Sequence, residues 1–217
     1  KRLLEYDDVM NAQREVIYKR RRHALSGNRL KVDIANMIYD TCEAIVEETK
    51  ATDDYKNFEF QVISLFGLTN LMSPEAFSKT SVPQLTDELY TQAYKAYEER
   101  IKEHARVALP VVQSIWNNPA NTFKRIVVPF TDGQKTIQIV TDLEKAHESD
   151  GVSLVEDFEK NSALALIDES WKDHLRKMDE LKQSVQLAVH EQKDPLLIYK
   201  FEAFELFKGM LTKVNKE

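Results

Sequence analysis

Three stretches of this sequence repeat apolar residues at steps of three and four, and that period commits most of the chain to long amphipathic helices. In residues 1–26 the stripe runs Leu3, Tyr6, Met10, Gln13, Ile17 and Ala24, with Val9 and Val16 beside it. From about 154 to 187 it runs Leu164, Ile167, Trp171, His174, Met178, Leu181 and Val185. The third stretch starts where Asp194-Pro195 caps a new helix, and it carries Leu197, Phe201, Phe204, Phe207, Leu211 and Val214 on one face. Isolated helices gain most of their stability by packing such a face, so the three need mutual burial. The last two are separated only by 188–194, which predicts an antiparallel helical hairpin.

Between these stretches the pattern changes. Ser26-Gly27-Asn28 is a stop or kink, with Gly27 suited to a left-handed cap. The period then resumes at Leu30, Ile34, Met37, Ile38, Cys42 and Ile45, so 29–49 is a second helix or a continuation of the first. Residues 50–84 are mixed, with an apolar cluster from Phe58 to Phe66 and a helix start at Ser73-Pro74-Glu75. Residues 84–107 form a helix with Leu85, Leu89, Ala93, Tyr97 and Ile101 on one face. Residues 123–141 are rich in β-branched and aromatic side chains around Asp132-Gly133, a two-residue hairpin signal. That turn sets Val128 opposite Ile137 and Ile126 opposite Ile139, all on one face. This face should pack on the helix of 84–107. Residues 142–153 are polar, contain Gly151 and read as a linker.

The expected fold is therefore mainly α. Residues 1–49 and 151–217 share a three-helix core, and 50–150 is an inserted lobe carrying one β-hairpin near 123–141.

Composition excludes several chemistries. The single cysteine, Cys42, rules out a disulfide within the chain and makes a thiolate zinc site untenable. No apolar run reaches ~18 residues, the length of a membrane span. None of the five glycines lies in a phosphate-binding loop, so no nucleotide site is expected. The five histidines, 23, 104, 147, 174 and 190, share no metal-ligand spacing. His174 sits on an apolar seam, where a satisfied, partly buried histidine is expected. The first 31 residues carry nine Lys or Arg against four Asp or Glu, although the whole chain has net charge −6. The run Lys19-Arg20-Arg21-Arg22-His23 suits the negative end of a helix dipole and has no stacking platform beside it, so no nucleic-acid partner is expected. The chain opens on Lys1 with no starting Met, already inside a helical pattern, as a piece of a longer protein would.

Several blocks resemble the SecA preprotein translocase ATPase family. Lys1-Arg2-Leu3-Leu4-Glu5-Tyr6-Asp7-Asp8-Val9, continuing through Gln13-Arg14 and Ile17-Tyr18, resembles the start of that family's long scaffold helix. Trp171-Lys172-Asp173-His174-Leu175 and Met178-Asp179 resemble the first helix of its two-helix finger. Gln192-Lys193-Asp194-Pro195-Leu196, Tyr199-Lys200 and Phe204-Glu205-Leu206-Phe207 resemble the second. The blocks cover roughly half the chain, in family order. Two departures stand out. The family's finger tip often reads Leu-Arg-Gly-Tyr; here it reads Leu187-Ala188-Val189-His190. Residues 105–150 look like an insertion relative to shorter members, with no role to carry over.

The resemblance implies a helical scaffold domain at 1–49 and 151–217, a helical wing at 50–150, and a finger whose tip, Leu187, Ala188, Val189 and His190, contacts translocating polypeptide. It also implies a cytoplasmic protein held peripherally at the inner face of the cell membrane. Its partners would be the SecY channel, the preprotein and the motor domains in cis. No cofactor is expected in this chain, because ATP and Mg belong to the absent motor domains. Two other readings compete: an unrelated helical adaptor, favoured by an open array of separate helices, and a small enzyme, favoured by a deep pocket with convergent titratable groups.

Overall fold

A computed structural model describes the chain apart from residues 1, 28, 121, 132, 134, 135, 188–193 and 217, and apart from the side chains of residues 2, 3, 186 and 187. The fold is mainly α with one two-stranded antiparallel hairpin. Two compact units form: Lys1–Asp33 with Ala163–Glu217, and Ile34–Ser162.

The first unit contains α1 (Arg2–Ser26), most of α7 (Val152–Leu187) and α8 (Pro195–Lys216). Gly27, at φ +71°, ends α1 and donates its N–H to His23 O, as the cap expectation required. The core gathers Met178 and Val185 of α7 with Tyr199 and Ala203 of α8, and Tyr6, Val9 and Met10 of α1 pack against them. The stripes read for α1 and α7 are thus the buried ones. The stripe read for α8 holds at Phe207, Leu211 and Val214 but needs correction in its first half. Its buried residues are Tyr199, Ala203, Met210 and Val214, whereas Leu197, Phe201 and Phe204 are 68%, 64% and 61% exposed. Residues 195–211 are apolar on more than one side, so a 3.6-residue period fits two faces.

The second unit contains α2 (Leu30–Ala51) from Ile34 onward, α3 (Tyr55–Phe66), α4 (Pro74–Lys79), α5 (Val82–Trp116), β1 (Arg125–Thr131), β2 (Thr136–Asp142), α6 (Leu143–Glu148) and the start of α7. One core packs Cys42, Ile45 and Val46 of α2 on Phe58, Phe77, Leu85 and Leu89. That packing assigns 34–49 to this unit, although the sequence grouped them with 1–33. Residues 151–162 likewise cluster here, through Leu154 and Phe158. Ser73 caps α4 by accepting from Ala76 N at 3.3 Å, with Pro74 in its first turn.

A second core joins Val112, Ile126, Ile139, Leu143, Ala146 and Leu154. It corrects three expectations. First, α5 does not stop at 107. It runs through Pro110 to Trp116, because burial of Val112 offsets the helix bond that proline cannot make. The hairpin therefore packs on Val112 and its neighbours rather than on 84–107. Second, 142–153 is no linker. Asp142 caps α6 by accepting from Lys145 N, and Leu143 and Ala146 are buried. Third, the ladder pairs Val128 with Ile139 and Phe130 with Ile137, two residues away from the expected register. The same side chains still face inward. Side-chain alternation has period two, so the apolar pattern cannot separate registers that differ by two.

Candidate functional site

Of the expected tip residues, Leu187 is the last residue of α7, and Ala188, Val189 and His190 lie outside the described residues. The structure does describe the three helices of the first unit. Contacts progress in order along it. The Tyr6 ring packs at a tilt on Tyr199 with centroids 4.7 Å apart, Gln13 reaches Ala203, and Arg20 reaches Asn215, so α1 and α8 run parallel. Lys182 meets Asp7, His174 meets Gln13, and Asp168 meets Arg21, so α7 runs antiparallel to both. Asp194 opens α8 by accepting from Leu196 N at 3.0 Å, where the Asp-Pro pair marked a helix start.

At the centre, one side-chain amide ties the three helices together. Gln13 Nε2 donates to Ala203 O at 3.0 Å, and Gln13 Oε1 lies 2.8 Å from His174 Nε2. Ala203 O can only accept, which fixes the orientation of the amide. Gln13 Oε1 must then accept, so His174 Nε2 carries the proton. The ring stacks on Trp171 and tilts against Phe207. It is 1% exposed, and its Nδ1 has no partner among the described residues. Burial, with Lys177 adding a smaller push, lowers its pKa to about 4, so the ring is neutral at ordinary pH. The sequence anticipated a satisfied, partly buried histidine here; the ring is instead fully buried and satisfied only at Nε2. The sequence missed the partner, whose signal was a lone Gln on the apolar stripe facing a lone His.

The charges around these helices are paired locally. Hydrogen bonds from Lys177 and Arg176 hold Asp173 down at a pKa of about 2. Arg21 forks onto Asp168 at 2.8 and 3.1 Å, and His23 Nδ1 lies 2.9 Å from Asp33. Three residues of the basic run at the end of α1, Arg20, Arg21 and His23, thus have partners within their own unit. An open groove of about 410 Å³ between α7 and α8 is lined by Ser170, Asp173, Lys177, Glu202 and Glu205. Among the described residues, no three His, Cys, Asp or Glu side chains converge as metal ligands, and no helix is long and apolar enough to cross a membrane.

The family model for the SecA Wing and Scaffold domain matches residues 1–217. Over its full length the chain is 62% identical to "Protein translocase subunit SecA" of Flavobacterium psychrophilum, 62% to that of Christiangramia forsetii and 45% to that of Porphyromonas gingivalis. It spans 19% of the length of the first two of these relatives and 20% of the third. The chain belongs to the SecA wing and scaffold family.

Proposed function

We propose that this chain is the scaffold, wing and finger portion of an ATP-driven translocase that moves secretory preproteins through the SecY channel. The observation that carries this reading is the family match over every residue, to relatives named as translocase subunits. The packing supports it. A helical hairpin clasped to a third helix by buried polar and aromatic contacts is stiff, because close-packed interiors deform little, and it can transmit displacement along its length. The functional tip is Leu187, Ala188, Val189 and His190. It touches the moving polypeptide through small apolar contacts that tolerate varied sequence. The motor domains act in cis on the scaffold and hold the ATP and Mg. The chain by itself holds no cofactor and neither binds nor hydrolyses ATP. The whole protein works from the cytoplasm, peripherally at the inner face of the membrane.

The test is a photoreactive residue at position 190 of the full-length protein, stalled with a preprotein in the channel. Labelling of the preprotein is expected. Silence there and at 187–189, in complexes that are shown to be stalled, overturns the tip assignment.

A further inference from the structure

The two edges of the hairpin differ. Leu143 N donates to Lys124 O at 3.0 Å, in register with the ladder that begins at Arg125↔Asp142. Bonded and non-bonded pairs alternate along an antiparallel ladder, so Ile126↔Thr141, Val128↔Ile139 and Phe130↔Ile137 exchange the inter-strand bonds. The residues between them aim their main-chain groups outward. On β1 that outward row is interrupted at Pro129, which has no N–H and so blunts the edge, whereas the charged pair Arg125 and Asp142 stands at the end of both rows. On β2 the row Thr136, Gln138, Val140 is continuous. Each of these residues keeps its N–H and C=O. No charged residue lies between Thr136 and Thr141, and among the described residues no further backbone hydrogen bond reaches the row. The side chains of this row are exposed on the outer face, where Val140 sits across from exposed Val127.

We propose that this open edge of β2 receives an extended segment of unfolded client polypeptide as a third strand, with β-branched or other apolar side chains lying along Val140 on the outer face. A row of outward donors and acceptors repeating every ~6.8 Å is matched by an extended backbone and by little else. Main-chain pairing reads no particular sequence, which suits a client that changes from one protein to the next. A two-fold pairing of two copies through seven-residue strands falls short of the roughly 1,000 Å² that a stable dimer needs. A short, weak contact suits a chain that must move on. The inference rests on the translocase reading, which supplies the unfolded client. It adds a contact on the second unit, distinct from the finger tip.

The experiment uses the full-length protein and a fluorescein-labelled peptide of ten alternating Thr and Val residues. A second arm uses the same peptide N-methylated at alternate residues, which keeps the side chains but removes the donors. Fluorescence anisotropy should show saturable binding that falls at least about tenfold with the methylated peptide and with Gln138→Pro. Gln138 lies opposite Pro129 at a non-bonded position, so proline there removes an outward donor and no ladder bond. If Gln138→Pro fails to fold, the methylated peptide on the unaltered protein decides. Equal binding of the two peptides overturns the proposal. So does a photoreactive residue at 138 that labels a second copy, or another segment of its own chain, instead of the peptide. Preprotein labelling from position 190 with none from 138 removes this contact and leaves the finger-tip reading standing.

Discussion

A methyl group placed on Gly151 would lie 2.8 Å from the carbonyl oxygen of Ala105, so α5 and the turn into α7 touch backbone to backbone. Gly151 also sits at φ +85°, in the left-handed region. Gly151→Ala should therefore cost about 2–4 kcal/mol, from the strained backbone plus the displaced carbonyl. Gly27→Ala is the control. Its φ is +71°, but a Cβ there meets nothing within 4 Å, so the cost should be about 1 kcal/mol. Urea unfolding of single-tryptophan variants separates the effects, because Trp116 reports the second unit and Trp171 the first.

The Gln13–His174–Ala203 clasp predicts an asymmetry. Gln13→Leu keeps the volume but leaves the His174 N–H buried without its partner, while the Ala203 carbonyl keeps its bond within α8; the loss should be about 1–3 kcal/mol. Adding His174→Phe removes that orphaned group. The double variant should recover about 1 kcal/mol relative to the sum of the singles. Additive losses in a double-mutant cycle would show that the amide does not couple the two helices.

The same histidine sets a pH window. Its folded pKa of about 4 lies below the ordinary 6.5, so between these values the unfolded chain binds more protons than the native one. Stability therefore rises with pH across that range. The contribution is complete above about pH 6.5 and is lost as pH falls toward 4, by at most about 3 kcal/mol. NMR of the ring should show the Nε2–H tautomer with no titration above pH 5. In His174→Phe the first unit should lose that share of its pH dependence.

Long helices were legible because period survives wherever one face alone is apolar, as in α1 and α7. The β-hairpin was legible for the same reason at period two, and Asp194-Pro195 marked a helix start by its own chemistry. What escaped depends on distant partners. Pro110 reads locally as a stop, and only the hairpin that buries Val112 explains why α5 continues. Leu143 and Ala146 are too few to set a period, so α6 read as linker. Leu30 to Ile45 shows one unbroken stripe, yet its residues from Ile34 onward pack with α3, α4 and α5 rather than with α1; a stripe says that burial occurs, not against what. At the candidate site the two polar interruptions, Gln13 and His174, were visible, but their hydrogen bond joins residues 161 positions apart.

The last prediction concerns which side of α8 holds the first unit together. An eye drawn to large aromatics picks Phe201 and Phe204, yet both stand in solvent in this chain, while Tyr199 is buried against Tyr6 and the Met178 cluster. Desolvation there pushes the phenol pKa up to about 12, so the ring stays neutral and packs as an apolar body. Truncating it should open a cavity lined by Tyr6, Val9 and Met10, with Tyr199→Ala costing about 3–5 kcal/mol. Phe201→Ala and Phe204→Ala remove no buried contact and should stay within about 0.5 kcal/mol of the parent. Urea midpoints followed through Trp171 rank the three variants. A Phe204→Ala loss as large as that of Tyr199→Ala would put the buried face of α8 on the aromatic stripe. The ranking Tyr199 far above both phenylalanines would fix it on Tyr199, Ala203, Met210 and Val214.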